Sequence, residues 1–331
     1  MDIRKVQRSG NSSFIVSLPM EWVTAHGIKK NHPLEMETNS DGSITIFPVH
    51  MPSSVGEART IAITQKTNQN FLLREMIGAY ISGHQTIELT SAIPFSAGIR
   101  NLVSNFIELT VGQEVVEEDD HKITIKDILN PSEMPMEKTV RRMYTISKKM
   151  VCDSVLALET KDKELNSQIS KMDDEVDRLC WLVARKHNMF LGYPSIARKE
   201  ELSLKSSNLF FLTARSIERI SDHAVRISKY SPTLMDDPRA ESVMKTLVES
   251  GKISCSVYEK SFKAMLGRDA VSANSIVEEI AGMDRDYDKL LSKEFKKRAE
   301  ISIPMAYIVE GLRRICDYSA GICENVINYR D

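Results

Sequence analysis

Helical periodicity in the last part of the chain is the strongest constraint on its fold. From residue 133 onward glycine and proline become sparse, and apolar residues recur at the spacing of an amphipathic helix. This pattern predicts six helices, near residues 135–159, 162–188, 198–230, 238–266, 270–296 and 301–329. Long helices joined by short connections favour antiparallel neighbours, so we expect a helical bundle over residues 133–331.

The helical region also contains an internal repeat. KMDDEVDRLC (171–180) resembles GMDRDYDKLL (282–291), and ERISDHAVRI (218–227) resembles RRICDYSAGI (313–322). The two offsets differ, which places a longer connection in the first half, around residues 189–202. We therefore expect two three-helix units in tandem, each with one acidic pattern on its middle helix and another on its last helix.

Acidic residues four positions apart lie side by side on a helix. In the first unit these pairs are Asp173 with Asp177, and Glu218 with Asp222. At about 100° per residue, the first pair lies at the edge of an apolar stripe and the second pair lies nearly opposite one. The stripes are Met172, Val176, Leu179 and Val183 on one helix and Ile217, Ile220, Ala224 and Ile227 on the other. The acids are expected at a helix–helix seam on the bundle surface, not in the dry core.

Two explanations for these acids are open. In the first, Arg215, Arg219 and Arg226 form local ion pairs with the second acidic pair, each worth about 0.2–0.5 kcal/mol, on a solvated helix face. In the second, four carboxylates from two adjacent helices bind a hard or borderline cation such as Mg²⁺, Mn²⁺, iron or Zn²⁺.

The repeat favours the cation. Ion pairing alone does not require the DxxxD pattern to recur in the second unit, where it stands at Asp284 and Asp288. The last helix of that unit is a weaker match, because Arg313 stands four residues before Asp317 where the first unit has an acid.

With DxxxD on the middle helix and ERISDHA on the last, the tandem units resemble the PhoU family of phosphate-uptake regulators over residues 133–331. The family holds multinuclear metal clusters at the bundle surface, and the resemblance implies such clusters here. The resemblance implies two metal sites, the first formed by Asp173, Asp177, Glu218 and Asp222 and the second by Asp284, Asp288 and Asp317. Arg313 counts against the second site. We expect iron, zinc, magnesium or manganese as the cofactor, and no organic one.

The first 48 residues predict short strands and one short helix, with a hairpin signal at Asp41-Gly42. The segment RKVQRSGNSSFIVSLPMEWVTAHGIKKNHPLEM (4–36) resembles the AbrB/SpoVT family of swapped-hairpin dimers, which includes transition-state regulators and antitoxins. So few apolar residues cannot form a core alone, which also favours a homodimer. In the resembling family the third strand follows a Gly-Asp pair, whereas this chain has Asn31-His32.

A dimer of this kind would double the basic residues of the segment on one face, where they could contact DNA phosphates. The expected DNA-binding residues are Arg4, Lys5, Arg8, Asn11, Ser12, Lys29 and Lys30. Five Lys or Arg residues balance five Asp or Glu residues over residues 1–50, so the alternative that this domain only dimerises stays open.

Residues 49–132 alternate strand and helix patterns and close with a hairpin turning near Asp119-Asp120. They predict a small α+β domain without a phosphate-binding glycine pattern, and we interpret it as a connecting or docking domain. The expected fold class is thus multidomain and mainly α, with a β swapped-hairpin domain at 1–48, an α+β domain at 49–132 and the tandem bundle at 133–331.

Composition narrows the function classes. The net charge is −2, no apolar run is long enough to cross a membrane, and the five cysteines show no CxxC spacing. These features indicate a cytoplasmic protein with reduced, mostly buried thiols, no membrane insertion and no zinc ribbon. Neither a nucleophilic triad nor a P-loop occurs, so we do not expect an enzyme.

Two function hypotheses follow from these features and resemblances. The first is a DNA-binding transcriptional regulator of phosphate homeostasis, whose PhoU-like bundle binds metal and senses phosphate status or a partner. The second is an adaptor that docks on a phosphate transporter ATPase or a sensor protein without binding DNA.

Overall fold

The computed structural model describes residues 3–10, 13–38, 42–48, 58–129, 134–192, 202–294 and 299–329. The chain divides into two compact units, Met1–Gly56 and Glu57–Asp331. The expected fold class is confirmed: a short strand-rich region is followed by an α+β region and then by a bundle of long helices. No helix within these described ranges is both long and apolar enough to cross a membrane.

The first unit contains two small antiparallel sheets of two strands each. Its elements are β1 (Gln7–Ser9), β2 (Ser13–Ile15), α1 (Met20–Ala25), β3 (Leu34–Thr38) and β4 (Ile44–Pro48), with β1 paired to β2 and β3 to β4. Gly42, before β4, has φ = +81°, the left-handed backbone that a tight hairpin turn requires. Asn31 has φ = +65°, which asparagine tolerates better than most residues, so the Asn31-His32 variant still makes a sharp turn.

The α+β domain is a four-stranded sheet covered by two helices. Its elements are β5 (Arg59–Ile63), α2 (Gln69–Ile81), β6 (Thr86–Ser91), α3 (Ala97–Leu109), β7 (Gln113–Glu118) and β8 (Lys122–Asp127). The strand order is β5-β6-β8-β7, with the first pair parallel and the other two antiparallel. Asn68 and Ser96 cap the two helices by accepting hydrogen bonds from backbone N–H groups of the first turn. Asp119 does the same for the β7–β8 turn, where its Oδ1 accepts from the N–H groups of His121 and Lys122.

Within its described residues the bundle contains the six expected helices. They are α4 (Met136–Thr160), α5 (Lys163–Gly192), α6 (Leu204–Met235), α7 (Glu241–Gly267), α8 (Ala270–Glu294) and α9 (Ala299–Asn328). Both apolar stripes expected on α5 and α6 lie in one hydrophobic core, in which Ile217, Ile220, Ala224 and Ile227 are fully buried.

Helix α6 differs from its expected range of 198–230 at both ends. It begins after Ser203, whose hydroxyl accepts a hydrogen bond from the N–H of Ser206. At its other end it continues through Pro232, which has no N–H for the carbonyl of Ser228. The side-chain amide of Asn166 on α5 donates to that carbonyl instead, at 2.7 Å, so the helix runs on without a buried, unpaired carbonyl.

Two glycines set the close approach of the two three-helix units. A Cβ at Gly251 on α7 would lie 2.5 Å from a methyl carbon of Val155 on α4. A Cβ at Gly311 on α9 would lie 2.9 Å from Cγ1 of Ile227 on α6. At the α4–α7 and α6–α9 seams, a side chain of one helix therefore packs directly against the backbone of the other.

The α+β domain is fixed to helix α5 by a buried arginine. The Arg185 side chain is 2% exposed, and its guanidinium lies 2.7 Å from the Asp127 carboxylate and 4.9 Å from the centre of the Tyr80 ring. It also donates a hydrogen bond to the carbonyl of Tyr80. Asn188 donates to the carbonyl of Ile81 at 2.9 Å. The carboxylate, the carbonyl and the ring that Arg185 contacts here all belong to the α+β domain, so this domain is packed directly on α5.

We predict that Arg185→Met destabilises the protein by about 3–5 kcal/mol, because it leaves the Asp127 carboxylate largely buried without a positively charged partner. The free energy of urea unfolding would be followed through the fluorescence of Trp181, which packs against the core of the α+β domain, in a Trp22→Phe background. The matched control is Arg59→Met, which removes an exposed arginine paired with Glu75 in the same domain and should cost about 0–1 kcal/mol. Equal losses in the two variants would contradict a fixing role for Arg185.

Candidate metal centre and nucleic-acid surface

Helices α5 and α6 pack together and bring the two acidic pairs of the first unit to one seam. Asp173 and Asp177 on α5 are half-buried, and the side chain of Glu218 on α6 is only 15% exposed. Asp222, one turn further along α6, is 42% exposed. The acids thus lie at the rim of the core, with Glu218 deeper than its sequence position indicated.

Burial and mutual repulsion make these carboxyl groups hard to ionise. Burial raises the pKa of Asp173 to about 7, with further contributions from Asp177 and Asp222. Burial, followed by Glu218 and Asp222, raises the pKa of Asp177 to about 6. The pKa of Glu218 is raised by burial and then by Asp222. The acids of α6 therefore raise the pKa values of both acids of α5, so the four carboxyl groups act electrostatically as one cluster.

Arg219 is the arginine that pairs with the acids of α6. Its Nε lies 3.5 Å from Glu218 Oε2 and its terminal nitrogen lies 3.2 Å from Asp222 Oδ2. Arg215 opposes the rise in pKa of Asp177 and Glu218 only in part. The neighbouring arginines therefore do not neutralise the α5 pair.

The donor chemistry of this cluster, which we call the acidic seam (Asp173, Asp177, Glu218 and Asp222), fits a hard cation. Two carboxylate oxygens, Asp173 Oδ1 and Glu218 Oε2, are buried and accept no hydrogen bond. Such oxygens are the ligands that Mg²⁺, Mn²⁺ and similar ions prefer. Among the described residues no three His, Cys, Asp or Glu side chains converge as a metal site, so the carboxylates as they stand do not form a coordination shell.

His223 follows the acidic seam in sequence but is packed into the core. Its ring is stacked on Tyr318 with centroids 5.8 Å apart, and burial, followed by Arg226, lowers its pKa to about 4. Its Nδ1 is buried without a hydrogen-bond partner. The imidazole is therefore neutral at physiological pH.

The last helix of the second unit repeats one ion pair of the first. The Arg314 side chain lies 3.4 Å from Asp317, at the same three-residue spacing as Arg219 and Asp222, and 2.8 Å from Glu310. Asp284 and Asp288 lie on α8, and their side chains are outside the described part of the structure. The second expected site is thus visible only at Asp317.

Most of the basic residues expected to contact DNA are exposed in the first unit. Arg4 and Lys5 precede β1, Arg8 lies on it, and Lys29 and Lys30 follow α1. The backbone N–H of Lys29 donates to the His32 ring at 3.3 Å, which closes the turn after α1. The expected residues Asn11 and Ser12 lie outside the described residues.

Sequence reasoning missed two participants. Asp174, next to Asp173 on the exposed side of α5, adds to the rise in pKa of both Asp173 and Asp177. The adjacent aspartates in KMDDEVD are a signal that could have identified it. Arg178, directly after Asp177, donates to the carbonyl of Thr110 in the α+β domain at 3.1 Å, and nothing local in the sequence indicates this contact.

Two segments of the chain match models of known protein families. Residues 140–231 match the family model of the PhoU domain, and residues 7–54 match the model described as antidote-toxin recognition MazE, bacterial antitoxin. The first match covers α4 to α6 up to residue 231 and contains all four residues of the acidic seam.

The similar proteins and solved structures found by comparison are named as PhoU proteins. A phosphate-specific transport system accessory protein PhoU homolog from Clostridium acetobutylicum is 23% identical over 192 residues, covering 56% of this chain and 86% of that protein. A homolog of the same name from Streptococcus pneumoniae is 28% identical over 181 residues, covering 53% and 82%. The crystal structures of PhoU from S. pneumoniae and from Pseudomonas aeruginosa both superpose with a TM-score of 0.51, at 22% and 20% identity. Each covers 59% of this chain, and they cover 92% and 94% of their own chains. These structures support the fold of the bundle.

We predict that the metal-free protein loses stability as pH rises from about 4 to about 7. Over this range the folded state retains a proton on Asp173, whose pKa is about 7, whereas the unfolded chain, with its pKa near 3.8, releases it. Stability from this group is therefore complete below the unfolded pKa and is lost by up to about 1.4 kcal/mol per pH unit.

Asp173→Asn should remove part of this decline, because the amide stays neutral at every pH. The measurement is the free energy of urea unfolding at about pH 5 and about pH 8 in the presence of a chelator. Glu164→Gln, an exposed acid on the same helix, serves as the control and should keep the wild-type slope. An unchanged slope in Asp173→Asn would contradict the raised pKa.

Proposed function

Because residues 140–231 match the PhoU domain model and residues 7–54 match the MazE antitoxin model, we propose that the protein regulates phosphate uptake by binding DNA as a homodimer. The observation that carries this proposal is the presence of both domains in one chain. Relatives that align with 53–58% of this chain are named accessory proteins of phosphate-specific transport systems, which supports the phosphate-related role of the bundle. On this proposal the protein is a regulator and not an enzyme.

Exposed apolar side chains in the first unit support the homodimer. An isolated two-stranded sheet is at best marginally stable in water, and this unit has two. Its exposed large apolar residues are Ile3, Val6, Phe14, Ile15, Val16, Met20, Met36 and Ile44. A second copy pairing with these strands would bury this surface and complete a core.

Basic residues beside the same strands support DNA binding. Arg4, Lys5 and Arg8 lie within five residues of one another at β1 and are exposed, so a two-fold dimer presents six such charges. Lys and Arg contacts to phosphates supply most of the non-specific affinity of DNA-binding proteins and make it depend on salt. Because the charge of residues 1–50 is balanced, the contact with DNA on this proposal is confined to this local surface.

The acidic seam supports a metal-binding role for the bundle. Its carboxylates repel one another, the neighbouring Arg219 serves only the α6 pair, and a bound Mg²⁺, Mn²⁺, iron or Zn²⁺ ion would supply the positive charge that the α5 pair lacks. Asp173 and Asp177 from α5 and Glu218 and Asp222 from α6 would hold it. On this proposal, the fraction of protein with bound metal would change with the concentration of that metal in the cell.

A second candidate function is an adaptor that does not bind DNA. The relatives are named accessory proteins of a phosphate-specific transport system, which favours docking on a transporter ATPase or a sensor protein. In that case affinity purification from cells would recover transport components without enriched DNA. The two functions differ in whether the MazE-type domain contacts DNA or only dimerises.

We predict that metal uptake depends on Asp173. Full-length protein stripped with a chelator would be titrated with Mg²⁺, Mn²⁺, Fe³⁺ and Zn²⁺, and the rise in melting temperature and the bound metal content would be measured. Asp173→Asn should lower both, because it removes a ligand oxygen from the acidic seam. Asp174→Asn removes the same charge one residue away on the exposed side and should retain most of the effect. Equal behaviour of the two variants would argue for diffuse attraction of cations and against a site.

We predict that replacing Arg4, Lys5 and Arg8 together by alanine weakens DNA binding and reduces its salt dependence. In a dimer six phosphate contacts are lost, so the slope of log affinity against log salt should fall by roughly 5. The measurement is DNA recovered by crosslinking in cells, followed by titration of the enriched fragments at several salt concentrations.

The control for this experiment is the triple variant Lys66→Ala, Arg74→Ala and Lys126→Ala. It removes the same charge from exposed positions of the α+β domain and should leave both affinity and slope near the wild-type values. DNA enriched by neither the wild type nor the control would favour the adaptor.

A further inference from the structure

Two cysteines face each other across the seam between helices α4 and α7. The two helices are antiparallel, and their contacts form a regular series along the seam. Tyr144 stacks on Phe262 with centroids 3.7 Å apart, and Lys148 lies 2.8 Å from Glu259. One helical turn beyond Lys148, Cys152 lies opposite Cys255. One turn further, Val155 contacts Gly251.

Gly251 lets the two helices approach closely at this point. A Cβ at this position would lie 2.5 Å from a methyl carbon of Val155, which is too close for any residue with a side chain. Glycine therefore allows the backbones of α4 and α7 to approach more closely here. The two cysteines lie one turn from this contact on facing sides of the same seam, and each thiol shifts the pKa of the other. Cysteines at facing positions of closely packed helices can meet the short Cα and Cβ separations that a disulfide requires.

The two thiols differ in character. The hydrogen bond from Cys255 lowers the pKa of Cys152 to about 7, against the effect of burial, and the positive charge of Lys148 lowers it further. The pKa of Cys255 is raised, first by the same hydrogen bond and then by burial. Asp153 and Glu259, which also face Cys152, act in the opposite direction to Lys148. The pair thus consists of one thiol that ionises easily and one that stays protonated.

Both cysteines are half-buried, whereas Cys180, Cys316 and Cys323 are buried. Of the five cysteines, these two are therefore the more open to a small oxidant. The division of roles resembles that of redox-sensing pairs in general, in which an accessible thiolate lies beside a resolving thiol.

We propose that Cys152 and Cys255 form a peroxide-sensitive thiol pair whose oxidation joins α4 and α7 by a disulfide. The Cys152 thiolate attacks one oxygen of hydrogen peroxide, which breaks the O–O bond, forms a sulfenic acid on Cys152 and releases hydroxide. The released hydroxide takes the proton of Cys255 to give water, and the Cys255 thiolate then attacks the sulfenic sulfur, forms the S–S bond and releases hydroxide. The two thiols lose two electrons in total, and the peroxide is reduced to water.

The disulfide would connect the two three-helix units of the bundle. Helix α4 belongs to the first unit and α7 to the second, so the bond fixes the α4–α7 seam and holds the units at one spacing. This inference does not depend on the proposed DNA or metal binding.

The test is a peptide map of the full-length protein after treatment with hydrogen peroxide, with free thiols blocked and trypsin digestion carried out without reductant. Cleavage after Lys149, Lys161, Lys252 and Lys260 gives peptides 150–161 and 253–260, each with a single cysteine. We expect these two peptides joined, with two hydrogen atoms lost, and separated again by a thiol reductant. Titration of the unfolded protein should then find two fewer free thiols than the five of the reduced chain.

Cys316 provides the matched control, because its sulfur lies 3.5 Å from the hydroxyl of Ser254, next to Cys255. Cys316→Ala should keep the 150–161 to 253–260 link, and Cys152→Ala should abolish it. Lys148→Met should slow its formation, because it removes the cation that favours the Cys152 thiolate. A link from 253–260 to the peptide 315–330, or no linked peptide in the folded wild type, would overturn the proposal.

Discussion

The buried guanidinium of Arg185 is the interaction on which the arrangement of residues 57–331 depends. Burying an unpaired ion in a protein costs several kcal/mol, so a fully buried arginine is tolerated only where its donors are satisfied. The Asp127 carboxylate at the end of β8 and the Tyr80 carbonyl near the end of α2 satisfy them here, and the Tyr80 ring covers the guanidinium. One side chain of α5 therefore fixes both the sheet and a helix of the α+β domain, and the position of this domain on the bundle follows from that pairing.

Helix α5 carries three surfaces at once. It contributes Val176, Leu179 and Val183 to the bundle core, Asp173 and Asp177 to the acidic seam, and Arg178, Trp181, Arg185 and Asn188 to the contact with the α+β domain. The acidic and docking surfaces are adjacent, since Arg178 follows Asp177 and its guanidinium reaches the Thr110 carbonyl. A shift of α5 that changes the spacing of the acids must therefore also move the groups that hold the α+β domain, because both are attached to one rigid helix.

The number of helices, their apolar stripes and the strand–helix order of the α+β domain could all be predicted from the sequence, because periodicity and capping are local properties. The grouping of the four acids at one seam was also predictable from the repeat. Long-range pairing was not. Arg185 stands in the polar sequence ARKHN, which is typical of a solvated helix end, and its partner Asp127 is 58 residues away. The end of α6 was misplaced for the same reason, since Pro232 normally stops a helix and only Asn166, 62 residues from Ser228, supplies the missing donor.

The two three-helix units share a backbone plan but differ in charge. The ion pair of Arg219 with Asp222 recurs as Arg314 with Asp317, which shows that the repeat extends to side-chain geometry. At the position of Glu218, however, the second unit has Arg313. This exchange replaces a negative charge by a positive one on the last helix of the second unit. The first seam keeps its excess of carboxylates at a rim where burial already opposes their ionisation. On our proposal a bound cation offsets this excess, which the ion pairs of Arg219 on α6 leave uncompensated at Asp173 and Asp177 on α5.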